Sequence, residues 1–138
     1  MKYWLLKTEP NEWSWKNQIE RGANGSEWDG VRNYEARNNL KKMKLKDQFF
    51  FYHTGDEKKI VGIAKVIKEF FPDKNDITGK FGSIMVQSHK SFKVSVSLND
   101  IKNHSLLRHL VLLKQSRLSV MPIDSKSWKI ICKMGKII

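Results

Sequence analysis

The chain has 138 residues, in which 26 Lys and Arg residues outnumber 14 Asp and Glu residues and give a net charge of +12. Hydrophobic residues make up 40% and charged residues 29%, which are ordinary globular values and indicate neither wholesale disorder nor a membrane protein. No apolar run approaches bilayer length, and the N-terminal segment becomes charged too early for a signal peptide. We therefore expect a cytoplasmic protein, or one associated with the nucleoid, with no membrane partner.

The length and the cysteine and histidine content predict a domain that needs no cross-link. A chain of this size can bury a substantial core unaided, so we expect a single domain over residues 1–138. A monomer is favoured, although the sequence leaves the oligomeric state open. Cys132 has no partner for an internal disulfide and is expected in the core. The four histidines show no metal-ligand spacing, so the sequence predicts no metal and no cofactor. The basic charge makes nucleic acid the first partner to consider, although solvated lysines that bind nothing are the alternative.

The first elements in chain order are a strand and a short helix. Apolar residues 3–6 predict a short buried strand. Ser14 is a candidate N-cap, and Gly22 a candidate stop, for a helix over residues 15–20. Residues 23–27 are small and polar, and they are expected to form a loop.

Residues 28–40 combine aromatic, amide and guanidinium side chains around a turn glycine. Asn33 can cap a helix that runs from residue 34 to about residue 42. Flat rings suit stacking, an amide can donate and accept hydrogen bonds, and guanidinium groups suit phosphate; these side chains belong to Trp28, Tyr34, Asn33, Arg32 and Arg37. The alternative is a strand end that turns into a surface helix, with aromatic residues that belong only to the core.

The middle of the chain predicts a sheet. Residues 49–53 form an aromatic run typical of a strand, and residues 60–71 are rich in β-branched residues, with a kink expected at Gly62. Residues 73–82 are expected to form a mobile polar loop. Alternating apolar and polar residues over positions 92–98 predict a half-buried strand.

The last third predicts helices around one extended segment. Short helices are expected at residues 100–102 and 106–113, followed by an extended segment over residues 117–122. Asp124 can cap a closing helix over residues 125–134. Short strands, expected to be mostly antiparallel, are thus interleaved with short helices, which predicts an α+β barrel-like domain rather than an alternating βαβ fold.

Seven separated blocks share their order and spacing with one known family. They are YWLLKTEP (3–10), WDGVRNY (28–34), ARN (36–38), FFYH (50–53), IVGIA (60–64), PD (72–73) and RLSV (117–120). These blocks resemble the EVE domain family over nearly the whole chain. The resemblance implies a PUA-like mixed-strand pseudobarrel surrounded by short helices. It also implies a non-catalytic nucleic-acid-binding module that reads a modified base, with 5-methylcytosine or 5-hydroxymethylcytosine in DNA as the leading ligands. Residues 74–90 depart from the family pattern, so any contacts made there stay open.

A pocket for a flipped base needs stacking faces, groups that hydrogen-bond the base edge and a basic rim. The blocks supply candidates for each part. The base pocket is predicted from Trp13, Ser14, Trp28, Val31, Arg32, Asn33 and Ser119. The rim or phosphate contacts are predicted from Lys7, Arg37 and Arg117, and support for the pocket from Glu9, Tyr34 and His53. Trp13 and Trp15 flank a helix start and cannot be equally buried, so one of them is expected to face a groove.

Several alternatives stay open at this point. Glu9 could accept a hydrogen bond from a cytosine amino group or hold the cations Lys7 and Arg32, and we favour the ion pair. The module could read RNA, as PUA and ASCH domains do, rather than modified DNA. An enzyme acting on a modified base or nucleoside is a third hypothesis, with His53 as a candidate general base. No nucleophile-elbow, paired-carboxylate, phosphate-loop or zinc-deaminase motif supports catalysis, so the sequence predicts no catalytic residues.

Overall fold

The computed structural model describes residues 1–72, 74 and 76–138. One mixed sheet of six strands organises the fold. The strands are β1 (Tyr3–Thr8), β2 (Ser26–Trp28), β3 (Gln48–His53), β4 (Lys59–Pro72), β5 (Gly82–Ser97) and β6 (Val120–Ile123). The helices are α1 (Trp15–Glu20), α2 (Tyr34–Lys42), α3 (Leu98–Lys102), α4 (Val111–Lys114) and α5 (Ser125–Met134), with 3₁₀ turns at Gly22–Asn24 and Ser105–Leu107.

The sheet has the strand order β2-β5-β4-β3-β1-β6. Strands β1 and β3 are parallel, and the other neighbours are antiparallel. Two strands separate β2 from β3, yet the ring of Trp28 on β2 meets Phe49 and Phe51 of β3 edge-on, at centroid distances of 5.6 and 5.5 Å. The sheet is therefore curled, and this curl brings β2 back into contact with β3. These features confirm the predicted α+β class with a mixed, barrel-like sheet.

Strand β3 supplies the centre of the core. Its residues Phe49, Phe50 and Phe51 are completely buried, as expected for an aromatic run with strand periodicity. Because successive side chains in a strand point to opposite faces, Phe50 stacks on Trp128 of α5 at 3.9 Å, while Phe51 meets Trp15 of α1 at 5.0 Å. Helix α5 thus covers one face of β3, and the α1 region covers the other.

Strand β4 bends where the sequence predicts a kink. The pairing register between β4 and β5 shifts between Ile60 and Gly62. A Cβ built on Gly62 would come within 2.3 Å of the Trp15 ring, so only glycine lets the indole lie this close to the strand. The kink therefore seats Trp15 against the sheet.

Three predicted segments need correction. The expected loop over residues 23–27 contains the start of β2, and β5 begins at Gly82 rather than near residue 92. The expected helix over residues 106–113 is divided into a 3₁₀ turn and α4. Backbone pairing with distant partners, which composition does not encode, stabilises the two strands. The predicted polar loop over residues 73–82 lies partly outside the described residues.

The helices in the described part of the chain are all too short or too polar to cross a membrane.

Candidate nucleic-acid interface

A cavity of about 580 Å³ opens between the end of β1 and the segment that begins with β2. It is lined by six of the residues predicted for the site: Lys7, Glu9, Trp13, Trp28, Val31 and Ser119. Its remaining lining residues are Thr8, Glu12, Arg21, Ser26, Glu27, Asp29 and Gly30. The curled sheet therefore brings together residues that lie far apart in the sequence.

Two indoles form aromatic parts of the cavity wall. Trp28 is only 7% exposed, because its ring is packed edge-on against β3. Trp13 is half-buried and lines the cavity, whereas Trp15 is buried, and its Nε1–H donates to Ser91 Oγ at 2.9 Å. The expectation that one of the two neighbouring tryptophans faces a groove is thus confirmed, and that residue is Trp13.

The completely buried side chain of Gln18 forms hydrogen bonds that connect the parts of this wall. Its Oε1 accepts hydrogen bonds from Trp13 Nε1 at 2.8 Å and from Ser26 Oγ at 2.9 Å. Its Nε2 donates to the carbonyl oxygen of Val86 on β5 at 3.3 Å. Gln18 is not among the residues predicted from the sequence, because an amide in a short helix is typical of a solvent-facing position. Its spacing of three residues from Trp15, on the same helical face, was the available signal.

The charged residues around the cavity are mostly acidic. Four carboxylates line it, those of Glu9, Glu12, Glu27 and Asp29, beside two cations, Lys7 and Arg21. Lys7 Nζ donates to the carbonyl oxygen of Ser116 at 2.9 Å, and burial lowers the pKa of Lys7 from its ordinary value. Arg21 Nε donates to the carbonyl oxygen of Gly25 at 2.7 Å. The cavity therefore carries the opposite sign of charge to the protein as a whole.

Glu9 does not form the ion pair that the sequence analysis favoured. Within residues 1–72, 74 and 76–138, its carboxylate has no cationic partner, and Oε1 accepts one long hydrogen bond from Asn11 N–H at 3.3 Å. A Cβ built on Gly55 would lie 2.6 Å from Glu9 Oε2. The carboxylate thus lies against a glycine and keeps most of its acceptor capacity.

The N-terminal end of α2 carries a second group of predicted residues outside the cavity lining. Asn33 Oδ1 accepts from Ala36 N–H at 2.9 Å and caps the helix. The guanidinium groups of Arg32 and Arg37 lie 5.5 and 6.0 Å from the centre of the Phe81 ring. Tyr34, at 52% exposed, lies 5.2 Å from the same ring. These residues form an arginine–aromatic cluster of Arg32, Tyr34, Arg37 and Phe81.

The segment over residues 76–81 packs against this cluster and is folded by Asp76. Its carboxylate accepts from the hydroxyl of Thr78 at 2.6 Å and from Phe81 N–H at 2.8 Å. The Thr78 hydroxyl hydrogen bond is the leading cause that lowers the pKa of Asp76 to about 2. Arg37 Nη1 also donates to the carbonyl oxygen of Lys80 at 3.0 Å. Residues 76–81, which match no family block, therefore position Phe81 beside the two arginines.

His53 and Ser14 hold α1 in place. Trp15 N–H donates to His53 Nε2 at 3.0 Å, which leaves the proton on Nδ1, where it is donated to Glu57 Oε1 at 2.8 Å. The hydrogen bond from His53 lowers the pKa of Glu57. Ser14 and Asn17 form a reciprocal capping box at the start of α1. Both ring nitrogens of His53 are therefore used by the fold.

A second, smaller cleft of about 350 Å³ lies beside the helix cap. Asn33 and Arg117 line it together with Glu35 and residues 114–116 and 118. Arg117 is exposed, two residues before Ser119 of the main cavity. The predicted site residues are thus divided between the main cavity, the arginine–aromatic cluster, this cleft and the support of α1. In the described part of the chain, no group of His, Cys, Asp and Glu residues could hold a metal ion.

The EVE domain family model matches residues 2–134. The chain belongs to the EVE domain family. Rpa0253 from Rhodopseudomonas palustris is similar to this EVE domain protein, with 42% identity, a TM-score of 0.95 and coverage of 100% of this chain and 95% of the other. Thymocyte nuclear protein 1 from Gallus gallus is 30% identical over 96% of this chain and 68% of its own length. The resemblance read from the seven blocks is confirmed.

A further similar structure includes a ligand. The crystal structure of human THYN1 protein in complex with DNA containing 5-methylcytosine is 28% identical to this EVE domain protein, with a TM-score of 0.91. The similarity covers 99% of this chain and 98% of the human chain.

Proposed function

We propose that this EVE domain protein is a non-catalytic module that reads a modified base in nucleic acid, and that its ligand is 5-methylcytosine or 5-hydroxymethylcytosine in DNA. The observation that carries the proposal is the aromatic-walled cavity, in a fold shared with a human protein solved on DNA containing 5-methylcytosine. Its volume of about 580 Å³ lies in the usual range of small-ligand sites.

In this proposal the base leaves its stack and enters the cavity beside Trp13. Stacking on one aromatic side chain contributes about 1–3 kcal/mol per base, so Trp13 supplies much of the affinity. Burial of one methyl group adds about 0.8 kcal/mol, which is roughly a fourfold preference for the methylated base. The net charge of +12 supplies the sequence-independent attraction to phosphates, with Lys7, Arg37 and Arg117 as the proposed contacts.

A non-catalytic role is supported by the engagement of His53. The first candidate for a general base uses Nε2 to hold the Trp15 amide and Nδ1 to hold Glu57, and it does not line the cavity. Mass analysis of modified nucleosides after incubation with the protein is expected to show unchanged substrate. A converted product would replace this proposal with the enzyme hypothesis.

The deciding measurement is binding to oligonucleotides of one sequence that carry cytosine, 5-methylcytosine, 5-hydroxymethylcytosine or N6-methyladenine at one position. We expect a several-fold preference for a modified cytosine, and Trp13→Ala should weaken the binding of every strand by removing the stacking contribution. Trp13→Phe keeps a stacking face and should retain most of the affinity, which separates loss of stacking from loss of folding. Equal dissociation constants for the modified and unmodified strands would overturn the proposal. Matched RNA strands separate the RNA alternative, because an RNA reader depends on the 2′-hydroxyl.

A further inference from the structure

The most common 5-methylpyrimidine in DNA is thymine, so a pocket that reads only the methyl group would be filled by an ordinary base. Thymine differs from 5-methylcytosine at position 4, where an oxo group replaces the amino group. The cytosine amino group is a hydrogen-bond donor, and the thymine oxygen is an acceptor. A reader of 5-methylcytosine therefore needs a hydrogen-bond acceptor inside its cavity. Such a group binds the 4-amino group of cytosine and is unfavourable beside the 4-oxo group of thymine.

Glu9 is the half-buried carboxylate among the lining residues. The other three, Glu12, Glu27 and Asp29, are exposed to solvent, where water competes for their hydrogen bonds. Glu9 directly follows the last residue of β1, so its backbone continues from a rigid element. Among the acidic lining residues it is thus the one best placed to discriminate between ligands.

The surroundings of Glu9 orient its carboxylate and leave most of its hydrogen-bond acceptor sites unoccupied. Gly55, with φ of +70°, leaves room for Oε2 where a Cβ would lie 2.6 Å away. Oε1 accepts the 3.3 Å hydrogen bond from Asn11 N–H. An ionised carboxylate has about four acceptor sites and no donor, so it can accept from an amino group but cannot donate to an oxo group. Glu9 therefore has the chemistry that separates the two bases.

Building on the proposed function, we infer that Glu9 accepts a hydrogen bond from the 4-amino group of the bound base and makes the cavity selective for aminopyrimidines. Thymine and uracil place an oxygen against the carboxylate, leaving both groups unpaired. A hydrogen bond to a charged group, together with that penalty, corresponds to about 10- to 100-fold in affinity. The amino group and the methyl group are then read separately.

The experiment uses four single-stranded oligonucleotides that differ at one base: 5-methylcytosine, cytosine, thymine and uracil. This set varies the amino group and the methyl group independently, and no base is held by a pairing partner. We expect both cytosines to bind about 10-fold or more tightly than their oxo counterparts. Equal binding of 5-methylcytosine and thymine would overturn the role of Glu9. Equal binding of 5-methylcytosine and cytosine would instead overturn the proposed function. The role of Glu9 would still stand if both cytosines bound more tightly than thymine and uracil.

Variants assign the amino preference to one side chain. Glu9→Gln keeps the shape but can donate to an oxo group, so the amino preference should fall about 10-fold while the methyl preference persists and reports an intact pocket. Glu20→Gln removes the same charge from the exposed face of α1 and should keep both preferences. Glu9→Asp retains the charge and should keep part of the amino preference. An unchanged preference in Glu9→Gln, or its loss in Glu20→Gln, would show that Glu9 is not the reader.

Discussion

The indole N–H of Trp13 donates to Oε1 of Gln18 at 2.8 Å, which fixes the half-buried tryptophan that faces the cavity. The same oxygen accepts from Ser26, another lining residue, and the amide nitrogen of Gln18 is anchored on β5. One buried amide therefore joins α1, the start of β2 and the sheet. The position of the proposed stacking face depends on this side chain.

Gln18→Met should weaken both the fold and the reading of the base. Leaving the Ser26 hydroxyl and the Trp13 N–H without their partner costs about 1–3 kcal/mol in the free energy of unfolding. A freed Trp13 should lower affinity for the modified strand roughly 3- to 10-fold, a part of its stacking contribution. Urea unfolding and oligonucleotide titration measure the two effects. Lys16→Met, on the exposed side of α1, is the control and should change neither.

Trp28→Ala should destabilise the protein much more than Trp13→Ala. The sequence places Trp28 in the predicted base pocket, but its ring is only 7% exposed and packs on Phe49 and Phe51. Truncation of a buried tryptophan costs about 3–5 kcal/mol, whereas Trp13 is half-buried and should cost less. Thermal unfolding compares the variants. If Trp28→Ala is as stable as the wild type, the ring contributes to ligand binding and not to the stability of the fold.

Asn33→Ala should lower stability through the loss of a helix cap. The Asn33 side chain accepts from Ala36 N–H at 2.9 Å, and replacing such a cap by alanine costs about 1 kcal/mol. Asn33→Asp keeps the acceptor and should restore stability. Base selectivity is measured in both variants. If Asp rescues the fold while selectivity is lost in both, Asn33 reads a base, as the sequence analysis predicted.

Arg37→Ala should reduce the salt dependence of oligonucleotide binding. Three hydrogen bonds to Asn38 and Lys80 hold the guanidinium group, and two of its five donors remain for phosphate. Each lost phosphate contact lowers the slope of log K against log salt by about 0.7–0.9. Arg108→Ala, an exposed change outside the cavity and the cluster, is the control. If Arg37→Ala leaves the slope of log K against log salt unchanged, Arg37 contacts no phosphate and serves only to position residues 76–81.

Asp124→Asn should produce a stability loss that disappears in acid. Burial raises the pKa of Asp124, but hydrogen bonds from His109 and Ser127 outweigh it and lower the pKa to about 2. A lowered pKa stabilises the fold above the unfolded value, near 3.9, and this contribution vanishes as the pH falls through about 2. The side chain is 47% exposed, so the loss at pH 7 should stay below about 1 kcal/mol.

Urea unfolding at pH 7, 4 and 2 measures the difference between the wild type and Asp124→Asn. Asparagine also caps helices well, so the variant removes the charge while keeping the cap of α5. A difference that persists unchanged at pH 2 would contradict the assigned cause.

The elements predicted with correct bounds are those encoded locally. Helices α2 and α5 begin and end where a capping side chain and an apolar stripe place them, at Tyr34–Lys42 and Ser125–Met134. The first half of β5 was missed because its apolar residues, Ile84 to Val86, form only a short run between polar residues. Pairing with β4 and burial of Ile84 and Val86 decide its structure instead.

The residues predicted for one site are divided among several places in the structure. Trp13, Trp28 and Glu9 line the cavity, but Asn33 and Ser14 cap helices, because the hydrogen-bonding groups that suit a base edge also suit a helix end. The role of Gln18 depends on β5, which lies 68 residues away along the chain. Contacts at that separation follow from the curl of the sheet, which no local pattern contains.

The charged residues that line the cavity are mostly acidic, whereas the protein as a whole carries a net charge of +12. In the proposed reader, phosphates are attracted to the basic outer surface and repelled by Glu9, Glu12, Glu27 and Asp29, so the strand backbone stays outside the cavity. A neutral base meets no such barrier. Backbone attraction and inspection of a single base therefore occur on separate surfaces, and raising the ionic strength should weaken the first while leaving the second almost unchanged.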